Sequence, residues 1–243
     1  MHISSQEQNV QTVFAPSFTA ASPSEAYHDI IVHALSDRRT LLDVALRQLA
    51  LHANAFTEVA VLLVETLRSG HKVLVAGNGG SAAESQHFAA ELVGRFKRER
   101  VPYAVLSLTT DTAIITAVAN DYGYQDIFAR QVLAFGQRGD MLLAFSTSGE
   151  SENILCAAQA AQQRQMTVVA VTGDVPSTLE ALADATIRVP LVDTALVQEV
   201  HMIVTHILCD ITETQLAATG EPSPLHSERQ TRWQGTGQDE WQR

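Results

Sequence analysis

Five short apolar runs punctuate the middle of this 243-residue chain: Lys72–Ala76, Tyr103–Leu108, Met141–Phe145, Thr167–Val171 and Ala185–Val189. Each is separated from the next by a stretch with helical character. Strands that read as continuous apolar runs are buried on both faces, and parallel neighbours need a crossover between them, usually a helix. The pattern therefore predicts an α/β fold, a doubly wound five-stranded parallel sheet covered by helices on both sides. In a flavodoxin-type order the first and third strands lie side by side at the topological switch point, where ligands bind.

The flanks of that sheet are helical. Residues from about 25 to 69 carry Leu41, Leu42, Ala45 and Leu49, then Val59, Leu62, Leu63 and Leu67, at helical spacing. Ser69-Gly70 ends the region. The last helix, Thr194–Leu216, is apolar at Ala195, Val197, Val200, Ile203, Val204, Ile207, Leu208 and Ile211. That stripe is wider than one sheet contact requires. With the N-terminal helices it predicts a helical surface buried in a homo-oligomer. Residues 1–24 and 218–243 are rich in small and polar residues without a sustained period, which predicts disordered extensions around one domain at 25–217. Both tryptophans, Trp233 and Trp241, lie in the second extension.

Composition narrows the partners. A formal net charge of −11 argues against nucleic acid, whose phosphates demand a basic face. It leaves room for a small anion, which backbone amides and hydroxyls hold without lysines. Only Cys156 and Cys209 are present, without metal-type spacing, which suits a reducing compartment. No stretch approaches the roughly 18 uninterrupted apolar residues of a bilayer span. The opening MHISSQEQNV lacks a basic-then-apolar signal pattern. The expected location is the cytoplasm, with no membrane partner.

Two loops carry the chemistry. The first strand runs into Gly77-Asn78-Gly79-Gly80-Ser81-Ala82 and then a helix. Glycines admit a ligand close to the backbone, and a helix N-terminus offers unpaired amides. This segment also satisfies a loose dinucleotide-binding pattern, but the acid that such a site places at the end of the second strand is missing, since Asp111 comes late. The third strand leads into Ser146-Thr147-Ser148-Gly149-Glu150-Ser151 and another helix, a hydroxyl-rich wrap for a phosphate. Hydroxyl-rich loops are often ordinary helix caps. Paired at strands one and three, the two loops open instead into one crevice.

The motifs G-N-G-G-S-A, Gln86-His87-Phe88-Ala89-Ala90-Glu91-Leu92, Asn120-Asp121-Tyr122-Gly123, S-T-S-G-x-S and Gln198-Glu199-Val200-His201 occur in this order. The chain between about residues 40 and 216 resembles the phosphoheptose isomerases, whose fold is the sugar isomerase (SIS) domain. The resemblance implies a homotetramer that converts sedoheptulose 7-phosphate to D-glycero-D-manno-heptose 7-phosphate. It also implies substrate contacts from Asn78, Gly79, Gly80, Ser81, Glu91, Asn120, Asp121, Ser146, Thr147, Ser148, Ser151 and Gln198. One zinc ion per subunit would be held by His87, Glu91, Gln198 and His206, with Glu91 and His206 catalytic. The segment Thr172-Gly173-Asp174-Val175-Pro176 departs from the family pattern by lacking a double glycine.

The residues support that chemistry in their own right. Aldose–ketose isomerisation moves a proton between neighbouring carbons and needs a base, an acid and stabilisation of an oxyanion. His87 and Glu91 are four apart, on one face of the helix behind the glycine loop. Gln198 and His206 are eight apart, about 12 Å along a helix axis. His201 is a spare candidate, although a lone helix histidine is usually structural. A carboxylate bound to zinc is a poorer base, so Glu91 as ligand and Glu91 as base compete. Lys97, Arg98 and Arg100 either close over a phosphate or simply suit a helix C-terminus. A non-catalytic SIS protein is the alternative, either a sugar-phosphate sensor or a relative that binds the bacterial replication initiator. That relative lacks the counterparts of Glu91 and His206, and this chain keeps both. Removing residues 1–24 and 220–243 is expected to leave the melting temperature and turnover nearly unchanged, since neither segment can bury much apolar area. Calorimetry of the trimmed chain checks this.

Overall fold

A computed structural model describes residues 23–217. The expected extensions, with Trp233 and Trp241, otherwise lie outside the described residues. The first helix, α1, spans Pro23–Leu51 and starts two residues earlier than expected, on a proline whose fixed φ suits a first helical turn. A break at His52 (φ −103°, ψ 27°) separates it from α2, Ala53–Arg68, so the long helical region is two helices. The chain divides between Thr40 and Leu41 into two compact units. Among the described residues the first unit is the N-terminal part of α1, which exposes Tyr27, Ile30, Ile31 and Leu35.

The second unit holds the sheet. Its strands are β1 Val73–Ala76, β2 Val105–Ser107, β3 Met141–Ser146, β4 Thr167–Thr172 and β5 Ala185–Arg188. Between them run α3 Gly80–Val93, α4 Thr112–Asp121, α5 Ala129–Phe135, α6 Glu152–Gln163 and α7 Thr178–Leu182. A short 3-10 turn lies at Tyr124–Asp126, and α8 closes the unit at Thr194–Ala217. The order is β2-β1-β3-β4-β5, all parallel, with Val73 opposite Met141 and Ala76 opposite Ala144. This is the doubly wound sheet expected from the five runs. Strand β2 is shorter than its run because Tyr103 donates to the carbonyl of Leu92 on α3 (3.1 Å) instead of joining the ladder.

The continuous apolar runs are explained by burial on both faces. Val73, Val75, Leu143, Phe145, Val169 and Val171 pack with Leu63 of α2, Phe88 and Leu92 of α3, and Val197, Val200 and Val204 of α8. The alternate residues, Leu74, Ala76, Leu142, Ala144, Val168 and Ala170, pack with Val132 of α5 and Ile154, Ala157 and Ala161 of α6. The period of two along β1, β3 and β4 thus sorts each apolar run into two cores, while Leu106 of the edge strand β2 and Arg188 of β5 are exposed. By length and composition α8 is apolar enough to cross a membrane, yet Val197, Val200, Val204 and Leu208 are fully buried inside the protein. Among the described residues a second apolar surface stays open. Leu46, Leu49, Phe56, Val61, Ile203, Ile207 and Ile211 line a groove of about 500 Å³ between the end of α1, α2 and α8.

The strand starts are tied by one acid. Asp140 is buried just before β3 and accepts from the amides of Lys72 (3.0 Å) and Gln137 (2.8 Å), with the Lys72 ammonium at 2.5 Å. Burial pushes this carboxyl up, but the Lys72 amide and ammonium and the Gln137 amide outweigh it and hold it below the usual carboxylate range. A depressed folded pKa contributes stability above the unfolded value, near 4, and loses it as pH falls through the folded value. Asp140→Asn leaves the lysine unpaired and turns an amide NH₂ toward donors. We expect it to cost about 3–5 kcal/mol at pH 7 and to flatten the loss of stability below about pH 4. Urea unfolding of both proteins at pH 7 and pH 3 measures this.

Candidate active site

The site sits at the carboxyl end of the sheet, where β1 and β3 emerge side by side. After Ala76 the backbone turns through Gly79, whose φ of 54° is left-handed and favours glycine. The Ser81 amide closes the turn on the Asn78 carbonyl at 2.9 Å, and α3 begins. At Gly80 a side chain would run into the amide of Gln198, so the absent Cβ lets α8 approach the loop. On the other side β3 ends in buried Ser146, whose hydroxyl accepts from the Gly149 amide (3.1 Å), and the Ser148 hydroxyl accepts from the Glu150 amide (3.2 Å). Ser151 occupies the N-cap position of α6, but its hydroxyl makes no capping bond. The plain helix-cap reading of this loop therefore does not account for Ser151.

Between the loops lies a cavity of about 410 Å³. Asn78, Gly79, Gly80, Ser81, Ser146, Thr147, Ser151 and Gln198 line it, as does Thr194, which the sequence pattern did not single out. Asn120 and Asp121 are not among its lining residues. They stand exposed at the end of α4, bonded to each other at 2.8 Å. Ser148 is exposed beside the cavity rather than within its wall.

Two further residues hold Asn78 and were missed in the sequence. Asn153, buried in the first turn of α6, exchanges two amide hydrogen bonds with Asn78, both at 2.8 Å. The Tyr124 hydroxyl donates to the same Asn78 oxygen at 3.0 Å. The Asn78 side chain thus fastens the first loop to the second. Its oxygen already accepts two bonds, leaving one N–H of its amide for a ligand. The signals were Asn153 two residues after the serine loop and Tyr124 just after Asn120-Asp121-Tyr122-Gly123, but nothing in the sequence pairs them.

Farther along α3, His87 and Glu91 meet His206 of α8. The Nε2 atoms of the two histidines are 3.0 Å apart, one donating to the other, and His87 Nε2 lies 3.4 Å from Glu91 Oε1. Ligand atoms of all three lie within 4.8 Å of one another, and all three residues are half-buried. Two imidazoles and a carboxylate are a donor set that suits zinc. Gln198, fourth in the expected set, lies two turns before His206 on α8 with its amide against Gly80.

The remaining candidates resolve into structural roles. His201 is fully buried, with Nδ1 3.3 Å from Glu84 and Nε2 3.3 Å from the Thr172 carbonyl, so it joins α3, α8 and the end of β4. Lys97 and Arg98 both pair with Asp210, at 2.9 and 3.1 Å. Arg100 is buried and donates to the carbonyls of Glu91 (2.9 Å) and Gly94 (2.8 Å), which end α3. Asp210, Glu213 and the end of α3 thus engage all three members of the basic cluster. Burial pushes the Cys209 thiol far up, so it is not a ready nucleophile.

Comparison with known proteins agrees with this geometry. The SIS domain family profile matches residues 39–173. The phosphoheptose isomerase of Shewanella sediminis is 50% identical over 159 residues, covering 64% of this chain and 81% of the relative. That of Roseiflexus sp. is 44% identical over 195 residues, covering 80% and 98%. The solved structure of phosphoheptose isomerase GmhA from Neisseria gonorrhoeae superposes with a TM-score of 0.71 at 36% identity, covering 77% of this chain and 99% of that one. The sheet order, the two loops and these matches together place the chain in the phosphoheptose isomerase family of SIS domain proteins.

Proposed function

We propose that this protein interconverts sedoheptulose 7-phosphate and D-glycero-D-manno-heptose 7-phosphate by proton transfer through an enediol. The observation that carries this reading is the placement of two sites on one helix. The amide- and hydroxyl-lined cavity lies at the start of α3, and the His87, Glu91 and His206 cluster begins seven residues on, about 10 Å along the axis. That separation suits an extended sugar whose phosphate and carbonyl lie at opposite ends. A pure sensor has no use for the second site, and the non-catalytic alternative is not favoured.

In this reading Gly79, Gly80, Ser81, Ser146, Thr147, Ser148 and Ser151 bind the phosphate end. Asn78, Asn120, Asp121 and Gln198 contact the sugar. Glu91 takes the proton from the carbon beside the carbonyl and returns it to the neighbouring carbon. His206 moves the hydroxyl proton between the two oxygens, so the reaction ends with no atom gained or lost. His87, Glu91, Gln198 and His206 would hold a zinc ion, which would polarise the carbonyl oxygen. The domain is residues 25–217, working in the cytoplasm. It assembles as a homotetramer that covers the groove between the end of α1, α2 and α8, since a surface this apolar is seldom left in water. Light scattering at micromolar concentration should report about four times the chain mass, and a monomer there would contradict the assembly.

A turnover assay on sedoheptulose 7-phosphate, with and without a chelator, tests the function. Glu91→Gln keeps the shape and removes the base. It should lower kcat by about 10²–10⁴ with little change in affinity, the pattern of an interaction made mainly in the transition state. Ser148→Ala should weaken binding first. If Glu91→Gln turns over within a few-fold of the parent, the mechanism is wrong.

A further inference from the structure

Beyond the cavity and the catalytic cluster, the structure contains a buried acid that the reaction does not use. Glu213, near the end of α8, is fully buried and accepts three backbone amides from the turn after α3: Phe96 (2.8 Å), Lys97 (2.8 Å) and Arg98 (2.9 Å). Arg100, also buried, completes its coordination at 3.2 Å. The same guanidinium donates to the carbonyl of Glu91 itself. One carboxylate thus bolts a single turn to α8, while its arginine bolts that turn to the end of α3. Ionic groups this deeply buried are costly unless fully paired, and removing one partner strands the other.

The turn presents one side chain to the cluster. The Phe96 ring stacks on the His206 imidazole with centroids 5.5 Å apart and planes 15° from parallel. His87 meets the same imidazole edge-on, at 5.1 Å and 71°. A histidine ring turns broadly about its outer torsion unless something fixes it. Usually a hydrogen bond to the second ring nitrogen does so. The His206 Nε2 edge is held at 3.0 Å by His87, and the Phe96 face packs against the plane of the ring. His206 and Glu213 are seven apart on one face of α8, about 10 Å along it, so the stacking ring is anchored to the helix that carries the imidazole.

We infer that Phe96 is a positioning residue for His206, and that the Glu213–Arg100 pair holds the turn so that His206 and Glu91 keep their mutual geometry. This rests on the isomerase reading above. Phe96 touches no reacting atom in that reading. Its effect is on the orientation of a proton-transfer group, which lowers kcat and not substrate affinity.

The test compares Phe96→Leu and Phe96→Tyr in the full-length protein, with kcat, KM and melting temperature measured for each beside the parent. Leucine keeps apolar bulk without a flat face, and kcat should fall about 10–100-fold, the usual range for a lost supporting partner. KM should stay within about two-fold, with the melting point nearly unchanged, and tyrosine should restore most of kcat. Parental kcat in Phe96→Leu, a loss confined to KM, a loss that tracks the melting point, or no rescue by tyrosine would each overturn the inference. A parent that does not turn over sedoheptulose 7-phosphate would overturn the isomerase reading and this inference together. An active parent with an unaffected leucine variant overturns only the inference.

Discussion

The pairing of β1 with β3 is the constraint on which the site depends. Four residue pairs, Val73–Met141 through Ala76–Ala144, set the two strands in register, and parallel neighbours lie about 4.8 Å apart. The chain between them has to cross to the sheet edge, build β2 and return, so the loops after β1 and β3 leave the sheet together with helices diverging on opposite faces. A crevice opens there for topological reasons, before any side chain is chosen. The Asn78–Asn153 amide pair then fixes the spacing of its two walls.

The chemistry is divided along α3 and α8. The cavity between the loops is lined by neutral groups, in a chain of net charge −11 whose cations after α3 are engaged elsewhere. Lys97 and Arg98 are occupied by Asp210, and Arg100 by Glu213 and the end of α3. A helix N-terminus and hydroxyls suffice for one anion. His87, Glu91 and His206 gather farther on, where α3 and α8 pack side by side with the buried Glu84–His201 contact between the two regions. The cavity and the His87, Glu91 and His206 cluster thereby lie at two points along one packed pair of helices.

Two buried acids brace this arrangement. Asp140 ties the strand starts beneath the sheet, and Glu213 ties the turn after α3 above it, each a buried carboxylate accepting backbone amides and facing one cation. Burial alone would push both acids up, and in both the donors win, holding the carboxyls below the usual range. Among the described residues the groove between the end of α1, α2 and α8 has no such closure, and its apolar lining stays open.

The sequence by itself determined the sheet, the helices around it and the two loops, because those follow from local periodicity and turn chemistry. Continuous apolar runs such as Met141–Phe145 admit only strands covered on both faces, and Gly79 marks a backbone turn wherever it falls. The spacing of His87 and Glu91 on one helical face was equally legible. Only the tertiary structure decided which residues meet across the chain: Asn153 with Asn78, His206 with His87, Phe96 with His206, and Glu213 with three amides of one turn. It also engaged Lys97 and Arg98 with Asp210, and Arg100 with Glu213 and the end of α3, and set Asn120, Asp121 and Ser148 outside the cavity wall. Each of these contacts spans between 75 and 119 residues, apart from the nine-residue reach of Arg100 to Glu91, and periodicity carries no information over such separations. They are fixed by how α3, α6 and α8 pack on the sheet.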